Sequence, residues 1–321
     1  MDYRKLIKFG NNSFVISLPK GWLKKNNLEK GNILYVTENG TNELVLAPEK
    51  KELKDALTTI TIDTKEKTKL KIKREIIAAY INDYNIIKIV GSELEANLHD
   101  IRSMLNGLVA VEIIEQTVDK IVAQDFLNIQ DTSFDKVIRR IDTLLRSILL
   151  DIDFKTKKDC YENILLRDSD VNKLTYLGFK VIKRAMKSPP VAQELKVTHT
   201  ELLDYWLILL KLEKTGDALK RISRMLRKFS ANKVQNAEIL DLFKDVQEGY
   251  LKLMKAYHSN NAELARQIAD DRRSALTNCV EFGERHQNFN TNRIVENFKD
   301  IHAYIGDIAR VIYMQEDNTL E

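Results

Sequence analysis

Cysteine is nearly absent. The two residues present, Cys160 and Cys279, stand 119 positions apart, so no local spacing can build a zinc ribbon, a CxxC redox pair or a disulfide framework. A reducing compartment is the expectation. Only 4 prolines and 11 glycines occur in 321 residues, with 44% hydrophobic and 31% charged residues, which excludes collagen-like, disordered and glycine-rich barrel classes. Long apolar runs are missing as well. The segment 202–210 is short and broken by Asp204, and the first ten residues hold no apolar core, so neither a membrane span nor a signal peptide is expected and a cytoplasmic location is. Enzyme signatures are lacking too: there is no P-loop, no G-x-S-x-G elbow and no G-x-G-x-x-G fingerprint. His99, His199, His258, His286 and His302 are scattered, none with a Cys or second His three or four positions away. Asp300 and His302 read as surface charge on a helix rather than a catalytic pair, and no enzymatic activity is expected.

Charge is present but uneven. Net charge is +4, yet residues 1–30 carry seven Lys/Arg against Asp2 and Glu29, leaving 44 bases and 45 acids for the other residues. The basic excess sits at the front, where a polyanion would be engaged.

Three segments follow different periods. Residues 1–50 read as short strands at 3–9, 13–18, 32–38 and 43–47, with a turn at Gly10-Asn11-Asn12 and a short helix at 20–27 entered through Pro19. Asn39-Gly40 suits a tight hairpin. Four short strands are too small a unit to be stable alone, so dimerisation is expected. Residues 51–57 form a charged linker. Residues 58–128 then predict a small α/β domain: strand 58–63, helix 67–83, strand 86–90, helix 93–106, and a hairpin of 109–114 with 121–127. From 133 onward there are five glycines and two prolines, and the apolar period predicts six helices over 133–154, 158–187, 192–230, 235–258, 261–287 and 291–316. Helices of similar length suggest a three-helix unit used twice. Thr215-Gly216-Asp217 and Ile305-Gly306-Asp307, 90 residues apart, are its faint sequence trace, with a shift of 86 fitting the apolar stripe as well.

In the first segment Arg4, Lys5 and Lys8 follow one strand, Lys20, Lys24 and Lys25 lie on the short helix, and Asn11, Asn12 and Ser13 fill the turn between. Cations of this kind neutralise phosphates, and Arg, Asn and Ser also read base edges. Lysines also protect strand edges, so charge alone decides little. The arrangement is more specific. Arg4-x-Leu6-Ile7-x-x-Gly10-Asn-Asn-Ser13-Phe-Val-Ile-Ser17-Leu18-Pro19-Lys20-x-Trp22, then Leu28-x-x-Gly31-Asn-x-Leu34-x-Val36 and Glu43-Leu44-Val45-Leu46-x-Pro48, resembles the AbrB/MazE/SpoVT swapped-hairpin family. The resemblance covers residues 3–48 and implies two chains interlacing into one DNA-binding barrel. By position it places Arg4, Lys5, Lys8, Asn11, Asn12, Ser13, Lys20, Lys24 and Lys25 on double-stranded DNA, and Trp22 and Leu23 in the core. The family includes antitoxins, so the module does not define the regulated process.

A second resemblance covers roughly 130–316. Leu212-Glu213-Lys214-Thr215-Gly216-Asp217 looks like the Leu-Glu-Arg-Ile-Gly-Asp segment of PhoU proteins, two three-helix repeats with a Glu/Asp-x-x-x-Asp metal motif. Together the two parts resemble the archaeal-type phosphate uptake regulators. The combination implies a multidomain, mainly α protein: an all-β swapped-hairpin domain, a small α/β middle domain and a six-helix PhoU-like bundle. Its expected function is that of a homodimeric transcriptional regulator of phosphate uptake, needing no cofactor.

The acidic motif carries a metal candidate of divalent or iron/zinc type. Glu213 and Asp217 are one turn apart on a shared face, and Asp168, Asn172 and Asp307 are candidates to complete the set. In the second repeat Ala303 replaces the expected acid. Lys214 and Arg221 flank Asp217 at helical spacing, ordinary ion pairing worth ~0.2 to 0.5 kcal/mol, and that plain reading is favoured over a metal cluster. The rival function is an adaptor docking a transporter or signalling kinase through the helices, the hairpins serving only to dimerise. A metal-storing helical protein comes third.

Overall fold

The computed structural model describes residues 3–10, 12–38, 44–49, 57–154, 159–227, 233–286 and 289–317. The chain divides into two compact units, Met1–Ala56 and Leu57–Glu321. The 51–57 linker, save Leu57, and the Asn39-Gly40 turn lie outside the described residues.

The first unit holds β1 (Ile7–Phe9), β2 (Ser13–Val15), α1 (Lys20–Lys25), β3 (Tyr35–Glu38) and β4 (Leu44–Ala47). β1 pairs antiparallel with β2 and β3 with β4, as two separate two-stranded sheets. Gly10 (φ 70°) turns the first hairpin and Gly31 (φ 96°) follows the helix, both in the left-handed region where a Cβ is strained. The strands are shorter than the pattern predicts.

The second unit opens with an α/β layer. Strands β5 (Thr59–Asp63), β6 (Ile86–Val90), β7 (Val111–Gln116) and β8 (Lys120–Asp125) form one sheet in the order β5-β6-β8-β7, with β5 and β6 parallel and the other pairs antiparallel. Helices α2 (Lys69–Ile81) and α3 (Leu94–Asn106) connect them. The alternation of β6 shows that one face of the sheet is covered: Ile87 and Ile89 are buried and Lys88 is exposed. Ile62, Ile72, Ile76, Ile87, Ile89, Leu94, Ile101 and Leu105 form the core of the layer.

The remainder is helical: α4 (Phe134–Asp151), α5 (Tyr161–Lys187), α6 (Pro189–Glu194), α7 (His199–Leu226), α8 (Lys233–His258), α9 (Ala262–Arg285) and α10 (Phe289–Asp317). Six are long, as the period predicts. The expected helix 192–230 is instead two helices. Pro189 and Pro190 mark a break, since α5 ends at Lys187 and Ser188 is extended, and they also occupy the first positions of α6, where a missing N–H costs nothing. Lys196 has φ 54°, and Thr198 caps α7 through a capping box with Glu201. A Thr-x-x-Glu signature inside an apolar-periodic stretch ends one helix and begins the next. The apolar segment of α7 is core: Leu202, Ile208 and Leu209 are buried, Tyr205 stacks on Phe134 and Trp206 on Phe179. Gly178 lets α5 approach α7, since a Cβ there would stand 2.3 Å from Leu209 Cδ1.

The α/β layer is fastened to α5 by a buried charge network. Lys180, fully buried, reaches Asp83 Oδ1 at 2.9 Å and Asp125 Oδ2 at 3.0 Å, and donates to the Tyr80 carbonyl at 3.3 Å. Arg184, one turn on, donates through Nε and Nη2 to the two oxygens of Asp83, both at 2.6 Å. Lys183 and Lys187 donate to the Asn82 side chain and carbonyl, so α5 brings cations to the C-terminal end of α2, where the helix dipole favours them. Burial pushes the Asp83 carboxyl up, but the hydrogen bonds from Arg184 and the charge of Lys180 outweigh it and hold it below the usual range. Asp83 therefore stabilises the fold above its unfolded pKa, and that contribution is lost as pH falls through its depressed folded value. Lys180→Met is expected to cost about 3 to 5 kcal/mol in urea unfolding, because it strands buried carboxylates, and adding Asp125→Asn should restore part of the loss.

Candidate nucleic-acid interface

In the first unit no described residue is fully buried. The register explains the surface that results. Ile7 and Phe9 of β1 face Val15 and Ser13 of β2, while Lys8 stands opposite Phe14. Each hairpin thus carries apolar side chains that stay exposed among the described residues. Leu6 (71% exposed), Phe9 (69%), Phe14 (65%) and Ile33 (71%) are open to solvent. Trp22 and Leu23, expected in the core, are half-buried, on a helix lined by Lys24 and Lys25.

The basic side chains lie on the same unit. Arg4, Lys5, Lys8, Asn12, Ser13, Lys20, Lys24 and Lys25 are all exposed; Asn11 lies outside the described residues. Arg4 donates to the neighbouring Tyr3 carbonyl at 3.0 Å. Lys5, Lys8, Lys20, Lys24 and Lys25 make no ion pair among the described residues, so their charge is uncompensated. Exposed apolar hairpins beside unpaired cations are an arrangement that a second chain would close and a polyanion would neutralise.

The metal candidates sit in the second unit, where Asp168, Asp217 and Glu213 come near one another around lysines and Asp307 has its own lysine partner. Lys220 Nζ lies between Asp168 Oδ2 (2.6 Å) and Asp217 Oδ1 (2.7 Å), filling the place a cation would take. Asn172 donates to Asp168 at 3.3 Å. Glu213 leans on Lys214 at 3.3 Å, and Asp307 pairs with Lys211 at 2.7 Å. Arg221, a sequence partner for Asp217, instead donates to Asn297 at 2.9 Å. Among the described residues no group of three or more His, Cys, Asp or Glu is placed to hold a metal ion. Lys220, three residues after Asp217, is the residue sequence reasoning missed, although its i+3 spacing was the available signal.

Burial raises the carboxyl pKa of Asp168 against the pull of Lys220, and burial followed by repulsion from Asp217 raises that of Glu213. A carboxyl raised on folding penalises the native state at neutral pH, and the penalty fades as pH falls toward the folded pKa. Glu213→Gln should therefore raise the melting temperature at pH 7.5, with the advantage over the native protein shrinking as thermal melts are taken toward pH 4.

No helix among the described residues is long and apolar enough to cross a membrane. Neither the curated proteins nor the solved structures yield a match to the chain. One family model does match: residues 7–54 are similar to the antidote-toxin recognition family MazE, bacterial antitoxin, consistent with a DNA-binding, dimerising module at this end of the protein.

Proposed function

We propose that the protein is a homodimeric, DNA-binding transcriptional regulator acting in phosphate uptake, with the helical unit as its sensor or partner-docking module. The observation that carries the DNA-binding part is the coincidence, in the segment matched by the MazE family, of apolar ladders without cover and cations without partners. Two copies closing those ladders into one barrel would present two sets of Arg4, Lys5, Lys8, Asn11, Asn12, Ser13, Lys20, Lys24 and Lys25 to one duplex. The phosphate role rests on the PhoU-like Leu212–Asp217 segment and on three-helix units that the helix lengths suggest are used twice. This reading assigns no enzymatic step, requires no cofactor and places the protein in the cytoplasm. A ligand or a transporter-linked partner on the helices changes DNA affinity only by favouring one dimer geometry over another.

Two measurements test it. Light scattering at micromolar concentration should give a dimer, and a monomer would overturn the scheme. Fluorescence anisotropy on the protein's own promoter and on that of an adjacent phosphate transporter should show selective binding, weakening with salt by about 0.9 log units per log salt for each phosphate contacted. Replacing Arg4, Lys5 and Lys8 by Ala should flatten that slope by about 5, if all six side chains of the dimer touch phosphate, with dimer and helicity intact. Equal weak binding to every duplex would move the assignment to the adaptor.

A further inference from the structure

A cleft of about 350 Å³ opens between α8, α9 and α10, lined by Ile268, His302 and Ile305 as buried residues and by Asp245 and Glu248 as exposed ones. His302, which the sequence presents as surface charge, is only 5% exposed, and its Nε2 has no hydrogen-bond partner. Burial, and then the nearby Arg272, push its pKa down to about 4, so the ring is neutral at physiological pH.

Arg272 lies across α10 in a place that Gly306 keeps open. A Cβ on Gly306 would stand 2.6 Å from Arg272 Cδ and 3.2 Å from its Nε. The Nε has no hydrogen-bond partner, and no carboxylate pairs with this guanidinium among the described residues. The other cation in the lining is already answered, since Lys252 pairs with Asp271 at 2.8 Å. In the same lining, burial raises the Asp245 carboxyl and repulsion from Glu248 adds to it, against a hydrogen bond from Asn278. The lining of the cleft therefore combines a guanidinium and an imidazole that lack partners among the described residues with two carboxylates that repel each other.

We propose that this cleft binds a small zwitterion of the α-amino-acid class, its carboxylate on Arg272 and the His302 ring and its ammonium on Asp245 and Glu248. A guanidinium fork matches the planar carboxylate. A simple anion would answer Arg272 but face Asp245 and Glu248, and a polyamine would do the reverse. Ile268, Ala275 and Ile305 provide an apolar wall for the side chain, in a volume at the low end of small-molecule sites.

The test is an NMR titration of the full chain carrying ¹³C-labelled histidine, with the twenty L-amino acids and with acetate, inorganic phosphate and putrescine. The His302 Hε1 resonance is assigned by its loss in His302→Gln. At least one amino acid should shift it saturably with a Kd on the order of 1 mM or tighter, the three other probes binding at least tenfold more weakly. Arg272→Gln and the solvent-exposed Glu248→Gln should each weaken that amino acid at least tenfold. Flat titrations for all twenty would overturn the proposal, as would acetate or phosphate binding equally well, or Glu248→Gln binding unchanged. The readout involves no DNA, so its failure is separate from that of the regulator reading.

Discussion

Two-stranded ladders cannot bury an apolar face by themselves, and the described residues of the first unit form two such ladders and one six-residue helix. Leu6, Phe9, Phe14, Ile33 and Leu44 meet water in a single chain, at about 25 cal/mol for each Å² left uncovered. In the proposed dimer, interlacing with a second copy would remove that cost and double the set of cations in one act. Folding of the unit, assembly and affinity for a polyanion are therefore one problem, governed by the same few exposed side chains.

The second unit solves its burial internally, and its charges show how. Lys180 is tolerated at full burial because Asp83, Asp125 and the Tyr80 carbonyl surround it, while Arg184 satisfies the remaining oxygens of Asp83. Breaking such a network by removing one partner is costly, because it leaves a buried charge uncompensated. The network fixes which end of α2 meets which turn of α5. The carboxylates near Asp168 obey the same rule with the opposite sign, their crowding relieved by Lys220 between two of them.

Glycine divides the two halves of the bundle in a related way. Gly216 stands 3.6 Å, at its would-be Cβ, from Asp168 Oδ1, and Gly306 lies beneath Arg272. The residues that give the faint 90-residue echo thus sit at a carboxylate in one half and at a guanidinium in the other.

Period and turn chemistry made most elements legible. The alternation in Thr58–Asp63 and the run Ile86–Val90 named β5 and β6, and the three- and four-residue apolar spacing named the six long helices, because both patterns report which side of an element meets the core. The helix break at Lys196 was legible in Thr198 and Glu201 but was overridden by the apolar period around it. Exposure of the basic residues in the first unit also followed from sequence, since unpaired lysines on short strands have nowhere to be buried. Partner choice did not. Asp217 had Lys214, Lys220 and Arg221 within helical reach; it pairs with Lys214 at 3.7 Å and more closely with Lys220 at 2.7 Å, which Asp168 on α5 also holds, and His302 and Arg272, 30 residues apart, meet across a helix interface. Local pattern fixes an element and its buried face, whereas which charges meet depends on side chains from different helices converging in space, and that is decided only when the helices pack.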